Sequence, residues 1–133
     1  MKTSQQLIAE AKAVIQEISV AQLQHVLQQD SEAVLIDVRE SSEFQQQHIL
    51  GSVNYPRGVL EMTIHNHPKV AAAGCEPAIA LEQLATQPVY LICRSGGRSA
   101  LAAESLQRMG FAKVYSVAGG MQAWLDAALP VKH

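Results

Sequence analysis

The sequence predicts an α/β domain with a mostly parallel central sheet flanked by helices. Two short, nearly continuous apolar runs rich in β-branched residues, 33–38 and 89–92, read as strands buried on both faces. A third run, 114–117, continues the series, and stretches with helical spacing separate the three. The chain has 133 residues, 48% of them hydrophobic and 17% charged, which is one domain's worth with enough apolar surface for a core of its own.

The elements follow in order. Leu7, Ile8, Ala11, Val14, Ile15 and Ile18 recur at helical spacing and predict an amphipathic helix over residues 1–18. Ser19-Val20-Ala21-Gln22 has the form of a capping box and opens a short helix with Leu23, Val26 and Leu27 on its inner face. After the strand at 33–38, residues 41–44 start a brief helix, and residues 51–56 read as a turn, a short strand and a stop at Pro56. Residues 57–87 carry the weakest pattern. Within them, 68–88 is rich in proline and small residues but too short to separate two domains, and a helix is expected near 80–85. Pro88 precedes the strand at 89–92, and residues 93–99 form a glycine-containing loop. A helix over 100–109 is expected to turn Leu101, Leu106 and Met109 inward, with Gly110 at its C-cap. Gly119-Gly120 is a turn, and Met121, Trp124, Leu125 and Ala128 mark a last helix that Pro130 ends.

Composition narrows the function classes. The formal net charge is -2 with no basic run, which argues against nucleic acid as a partner. No apolar run approaches the length of a membrane span, and Glu10, Lys12 and Glu17 interrupt the N-terminus, so a cytoplasmic location is expected. The two cysteines, Cys75 and Cys93, are then expected as free thiols.

Cys93 stands where ligands bind in open parallel sheets, at the carboxyl end of a strand where the loop enters a helix. A cysteine after a buried strand is often only a small core residue. The following Arg94-Ser95-Gly96-Gly97-Arg98-Ser99 argues for chemistry, since two arginines beside a purely structural cysteine would require burial or awkward pairing. A thiolate is the reactive form of cysteine, and helix N-termini and cations favour it. Gly96 and Gly97 leave the backbone free to turn its N–H groups inward as an anion-binding nest, and Arg94 and Arg98 add positive charge around it.

Three ordered stretches resemble the rhodanese family over nearly the whole chain after Ile18. They are Leu35-Ile36-Asp37-Val38-Arg39-Glu40 with Glu43-Phe44 and His48-Ile49 through Pro56; Cys93 through Ala100; and Gly119-Gly120 with Trp124. The resemblance implies a three-layer sandwich over residues 19–131, preceded by an N-terminal helical extension, residues 1–18. It implies a sulfurtransferase that moves sulfur from thiosulfate or another donor to cyanide or a thiol through a Cys93 persulfide. Residues 94–99 would bind the donor, with Asp37 and Arg39 in support. Arg98 would either hold the donor or brace the loop by pairing with Asp37, and Ser99 would either join the donor site or simply cap the following helix. No cofactor and no metal is implied. Gln47 departs from the pattern, where the family commonly has glycine, and Arg57-Gly58-Val59-Leu60 suits one single-domain subgroup.

Two other classes compete. Cysteine phosphatases and arsenate reductases cradle oxyanions in a Cys-to-Arg loop, but those phosphatases have five intervening residues, whereas four separate Cys93 from Arg98. A persulfide carrier or regulatory module serving a protein partner is the second. A metal site at His65, His67 and Cys75 matches no common zinc spacing. Cys75 is read as a bystander, and the oligomeric state, monomer or homodimer, is left open.

Overall fold

The computed structural model describes residues 1–133. The chain runs through α1 (Ser4–Val14), β1 (Gln16–Ile18), α2 (Val20–Gln29), β2 (Val34–Asp37), α3 (Ser41–Gln46) and β3 (Val53–Asn54). Next come the short helices α4 (Leu60–Thr63) and α5 (Pro68–Ala71), with 3-10 turns at Arg57–Val59 and Ile64–Asn66. The chain closes with α6 (Pro77–Leu84), β4 (Val89–Ile92), α7 (Gly97–Met109), β5 (Val114–Val117) and α8 (Gly120–Asp126). The five strands form one sheet in the order β1-β5-β4-β2-β3, and every pairing is parallel. No helix is long and apolar enough to cross a membrane.

Successive residues of a strand face opposite sides of the sheet, and this sorts the core into two layers. Val34, Ile36, Val89, Leu91, Cys93 and Val114 lie on one face, packed with Leu60, Ile64, Leu84 and the α7 residues Ala102, Ala103 and Leu106. Leu35, Tyr90, Ile92 and Val117 lie on the other with Leu23 of α2 and Met121 and Trp124 of α8. The result is the expected three-layer α/β arrangement. β2 and β4 are buried along their whole length, as their unbroken apolar character requires.

Three local expectations need correction. The helix over residues 1–18 stops at Val14, and Gln16–Ile18 becomes an edge strand beside Tyr115–Val117. Ile15 packs into one layer and Ile18 into the other, a placement that extended backbone permits and a single helical stripe does not. The helix after the cysteine loop begins at Gly97, three residues early, because Gly96 turns the chain in the left-handed region (φ 103°). Its inner face is alanine-rich: Ala100, Ala102 and Ala103 are buried with Leu106, whereas Met109 is exposed. Small residues let α7 lie close to the sheet, and the leucine-and-methionine pattern concealed this.

The capping box at Ser19 forms as read, with Ser19 Oγ accepting from the Gln22 amide and Gln22 Oε1 accepting from the Ser19 amide. At Gln47 the backbone φ is -167°, extended geometry open to any residue, so glycine is not required there.

Candidate active site

The cysteine loop is built by two helix N-termini. Cys93 follows β4 and turns its side chain beneath the start of α7, where it is 1% exposed. Gly96 occupies the N-cap of α7 and has no side chain to satisfy the first-turn amides. The cysteine sulfur takes that place: Sγ accepts from the Ser99 amide at 3.3 Å and from the Gly96 amide at 3.1 Å. Ser99 Oγ lies 3.4 Å from the same sulfur. Burial of Cys93 is therefore accompanied by inward-facing amides, and the sulfur sits at the positive end of a 13-residue helix.

The second helix start holds the other side of the loop. The Met121 amide donates to the Cys93 carbonyl at 2.8 Å, and the Gln122 amide donates to that of Arg94 at 2.9 Å. So close an approach requires a glycine: a Cβ on Gly120 would lie 2.4 Å from the Cys93 carbonyl oxygen and 2.7 Å from the Arg94 carbonyl carbon. Gly97 is crowded from outside as well, with Ile8 Cδ1 of α1 at 3.0 Å from where its Cβ would stand. The glycine pairs 96–97 and 119–120 are thus where the loop meets its neighbours.

Of the two arginines, Arg98 is committed. It forms a two-pronged ion pair with Glu43 of α3, at 2.7 and 3.1 Å, not with Asp37. The Arg98 hydrogen bond holds the Glu43 carboxyl down at about 2, well below its ordinary 4.5. A depressed carboxyl adds stability above its unfolded-state value and loses it as pH falls toward its folded value. The stability advantage of the parent over Glu43→Gln is therefore expected to be full at neutral pH, to shrink below about pH 4.5 and to vanish near pH 2. Urea unfolding of both proteins across that range checks it, and a gap that persists at pH 2 would contradict it.

Asp37 and Arg39 pair with each other beneath the loop. The Asp37 carboxylate accepts from the Arg39 Nε, Nη2 and backbone N–H at 2.8–3.1 Å. Arg39 Nη2 also donates to the Gln47 carbonyl, and Asn54 Nδ2 donates to the carbonyls of both Asp37 and Arg39. Arg94 and Ser95 remain exposed. Arg94 lines a polar depression of about 330 Å³ with Arg39, Glu43 and Gln122. A larger, apolar groove of about 500 Å³ runs past Leu27, Ile49, Leu50 and Trp124 and contains no residue of the cysteine loop.

The structure brings Cys93, Gly96 and Ser99 together, keeps Arg94 at the rim and turns Arg98 toward α3. Two participants escaped the sequence reading, Glu43 as partner of Arg98 and Ser116 as partner of Ser99. Ser116 had a signal, since it is a hydroxyl in a strand otherwise built of apolar and aromatic residues. His67 is used locally, its Nδ1 accepting from the Lys69 amide at the start of α5. Cys75 is exposed and free.

The profile of the Rhodanese-like domain matches residues 19–127. The chain belongs to the rhodanese-like domain family. It is 30% identical over 106 residues to the thiosulfate sulfurtransferase GlpE of Glaesserella parasuis, covering 80% of this chain and 83% of that one. It is 32% identical over 116 residues to the putative sulfur carrier protein YrkF of Bacillus subtilis, covering 87% of this chain. It spans only 54% of the length of YrkF, and 60% of the length of another Bacillus subtilis relative, YqhL, matched at 35% identity. Among solved structures, RPA3614 of Rhodopseudomonas palustris, described as of unknown function and a possible tyrosine phosphatase, superposes with a TM-score of 0.80. That match has 29% identity and covers 99% of this chain and 96% of the other. The polysulfide-sulfur transferase homodimer of Wolinella succinogenes gives 0.70 at 28% identity, covering 95% and 84%. This rhodanese-like chain therefore sits among sulfurtransferases and sulfur carriers.

Proposed function

We propose that this rhodanese-like protein is a thiosulfate sulfurtransferase that carries the transferred sulfur as a persulfide on Cys93. The observation behind this reading is the pair of amides, Gly96 and Ser99, directed at Sγ at the start of α7. Such donors favour negative charge on sulfur, which both the attacking thiolate and the persulfide carry.

The Cys93 thiolate attacks the outer sulfur of thiosulfate. A sulfur–sulfur bond forms to Cys93, the bond within thiosulfate breaks, and its electron pair leaves with sulfite. A second nucleophile, cyanide or a thiol, then attacks the terminal sulfur and releases the Cys93 thiolate, giving ping-pong kinetics. Arg94 at the rim of the polar depression draws in the sulfonate. Ser95 and Gly97 complete the loop around Gly96 and Ser99, and Arg98 contributes mainly by tying that loop to α3. Asp37 and Arg39 act as scaffold. Because Cys93 is 1% exposed, the donor reaches Sγ only as the loop side chains part. Residues 19–131 form the reacting unit, and residues 1–18 extend it by adding β1 to the sheet edge and resting Ile8 on Gly97. Two free thiols suit a reducing, cytoplasmic setting.

The phosphatase reading suggested for RPA3614 fits this loop less well. The loop holds four residues between Cys93 and Arg98, and Arg98 is already paired with a carboxylate. Incubating the protein with thiosulfate and measuring intact mass tests the proposal. A gain of one sulfur atom, removed by cyanide and retained in Cys75→Ser, is expected. An unchanged mass, or hydrolysis of p-nitrophenyl phosphate with no sulfur uptake, would sink it. Sulfur uptake that only a protein acceptor can discharge would favour the carrier role.

A further inference from the structure

Ser116 is completely buried in β5, on the same face of the sheet as Cys93. Its hydroxyl has one hydrogen-bond partner, Ser99 Oγ at 2.7 Å, and Ser99 Oγ in turn lies 3.4 Å from Cys93 Sγ. The three atoms make a short chain, sulfur to hydroxyl to hydroxyl, in which Ser116 alone lies outside the cysteine loop. Resting on the reading of Cys93 as the nucleophile, we propose that Ser116 is a positioning residue that holds the Ser99 hydroxyl against the sulfur and polarises it toward negative charge there.

Counting protons gives the reason. With Cys93 as a thiol the chain carries three protons, one on sulfur and one on each hydroxyl, but only two gaps to fill. One proton is then left without an acceptor among these buried groups, which burial penalises. When the thiol proton leaves to water, two protons remain for two gaps: Ser116 donates to Ser99, and Ser99 donates to the sulfur. Both hydroxyl dipoles then point at the anion, and each bond strengthens the next. The same orientation serves the persulfide, whose inner sulfur occupies the place of Sγ. Without Ser116 the Ser99 hydroxyl loses its anchor. A serine in the first turn of a helix readily rotates toward nearby backbone instead.

A purely structural hydroxyl pair would affect stability alone, so the test reads ionisation. In a Cys75→Ser background, which leaves Cys93 as the only thiol, the thiolate ultraviolet absorbance of the full chain is followed against pH. Ser116→Ala is expected to move the titration to higher pH, lowering the ionisation constant of the thiol by about three- to tenfold. Ser116→Thr, which keeps the hydroxyl, should titrate like the parent. In a Ser99→Ala background, Ser116→Ala should cause no further displacement, since its action passes through Ser99. A Ser116→Ala titration that overlays the parent would overturn the proposal, as would an equal displacement with and without Ser99. If the threonine variant does not fold, the Ser99 comparison decides alone. No sulfur donor takes part, so this result and the thiosulfate loading experiment can fail independently.

Discussion

Cys93→Ser is expected to lower sulfur transfer from thiosulfate to cyanide by at least about a thousandfold, the scale seen when an essential nucleophile is removed. The substitution changes one atom. A hydroxyl fits the same space and accepts from the same two amides, Gly96 and Ser99, so the fold should survive with a stability change of about 1 kcal/mol or less. The chemistry does not survive. A serine hydroxyl stays protonated under these donors, because its intrinsic acidity is far below that of a thiol. It also has no counterpart to the persulfide, so no intermediate accumulates and ping-pong kinetics disappear. Steady-state rates with both substrates, together with far-ultraviolet circular dichroism to establish folding, check the expectation. A folded Cys93→Ser protein that kept a tenth of the parent rate would remove Cys93 from the mechanism.

Asp37→Ala is expected to destabilise the protein by about 3–5 kcal/mol, the range for removing one member of a buried ion pair. Asp37 is inaccessible to solvent, and the Arg39 side chain is only 7% exposed. Removing the carboxylate leaves a guanidinium in the interior with the Gln47 backbone carbonyl as its remaining hydrogen-bond partner. Against a total stability of roughly 5–15 kcal/mol for a domain of this kind, that is a large fraction. The cause is the stranded charge and not the value of the pair itself, so Asp37→Ala combined with Arg39→Met should recover much of the loss. Urea unfolding of the two single variants and the double variant separates these cases. A loss below about 1 kcal/mol in Asp37→Ala would mean that water reaches the pair in solution.

The two candidates differ in how far they were legible. Cys93 was visible because its neighbours are chemically unusual: a cysteine, two glycines and two arginines within seven residues have no bland explanation. Asp37 was visible as a polar residue ending an apolar run within the rhodanese-like stretch, and pairing with Arg98 was one of two roles left open for that arginine. The chain supplies a nearer cation two residues on, Arg39, and that short-range pair forms instead, while Arg98 reaches Glu43, 55 residues away. Residues 57–87 were hardest to read because their helices are short. α4 and α5 have four residues each, too few for a helical period to show.

By itself the sequence determined the alternation of strands and helices, the two-faced burial of β2 and β4, the capping box at Ser19 and the cysteine loop. Each of these is written in residues close together in the chain. Only the tertiary structure decided that Gln16–Ile18 joins the sheet, that Glu43 engages Arg98, that Gly120 admits the Cys93 carbonyl and that Ser116 stands behind Ser99. Those contacts join segments far apart in sequence. Their partners are selected by which side chains the packed layers bring within a few ångströms, a distance that no local pattern encodes.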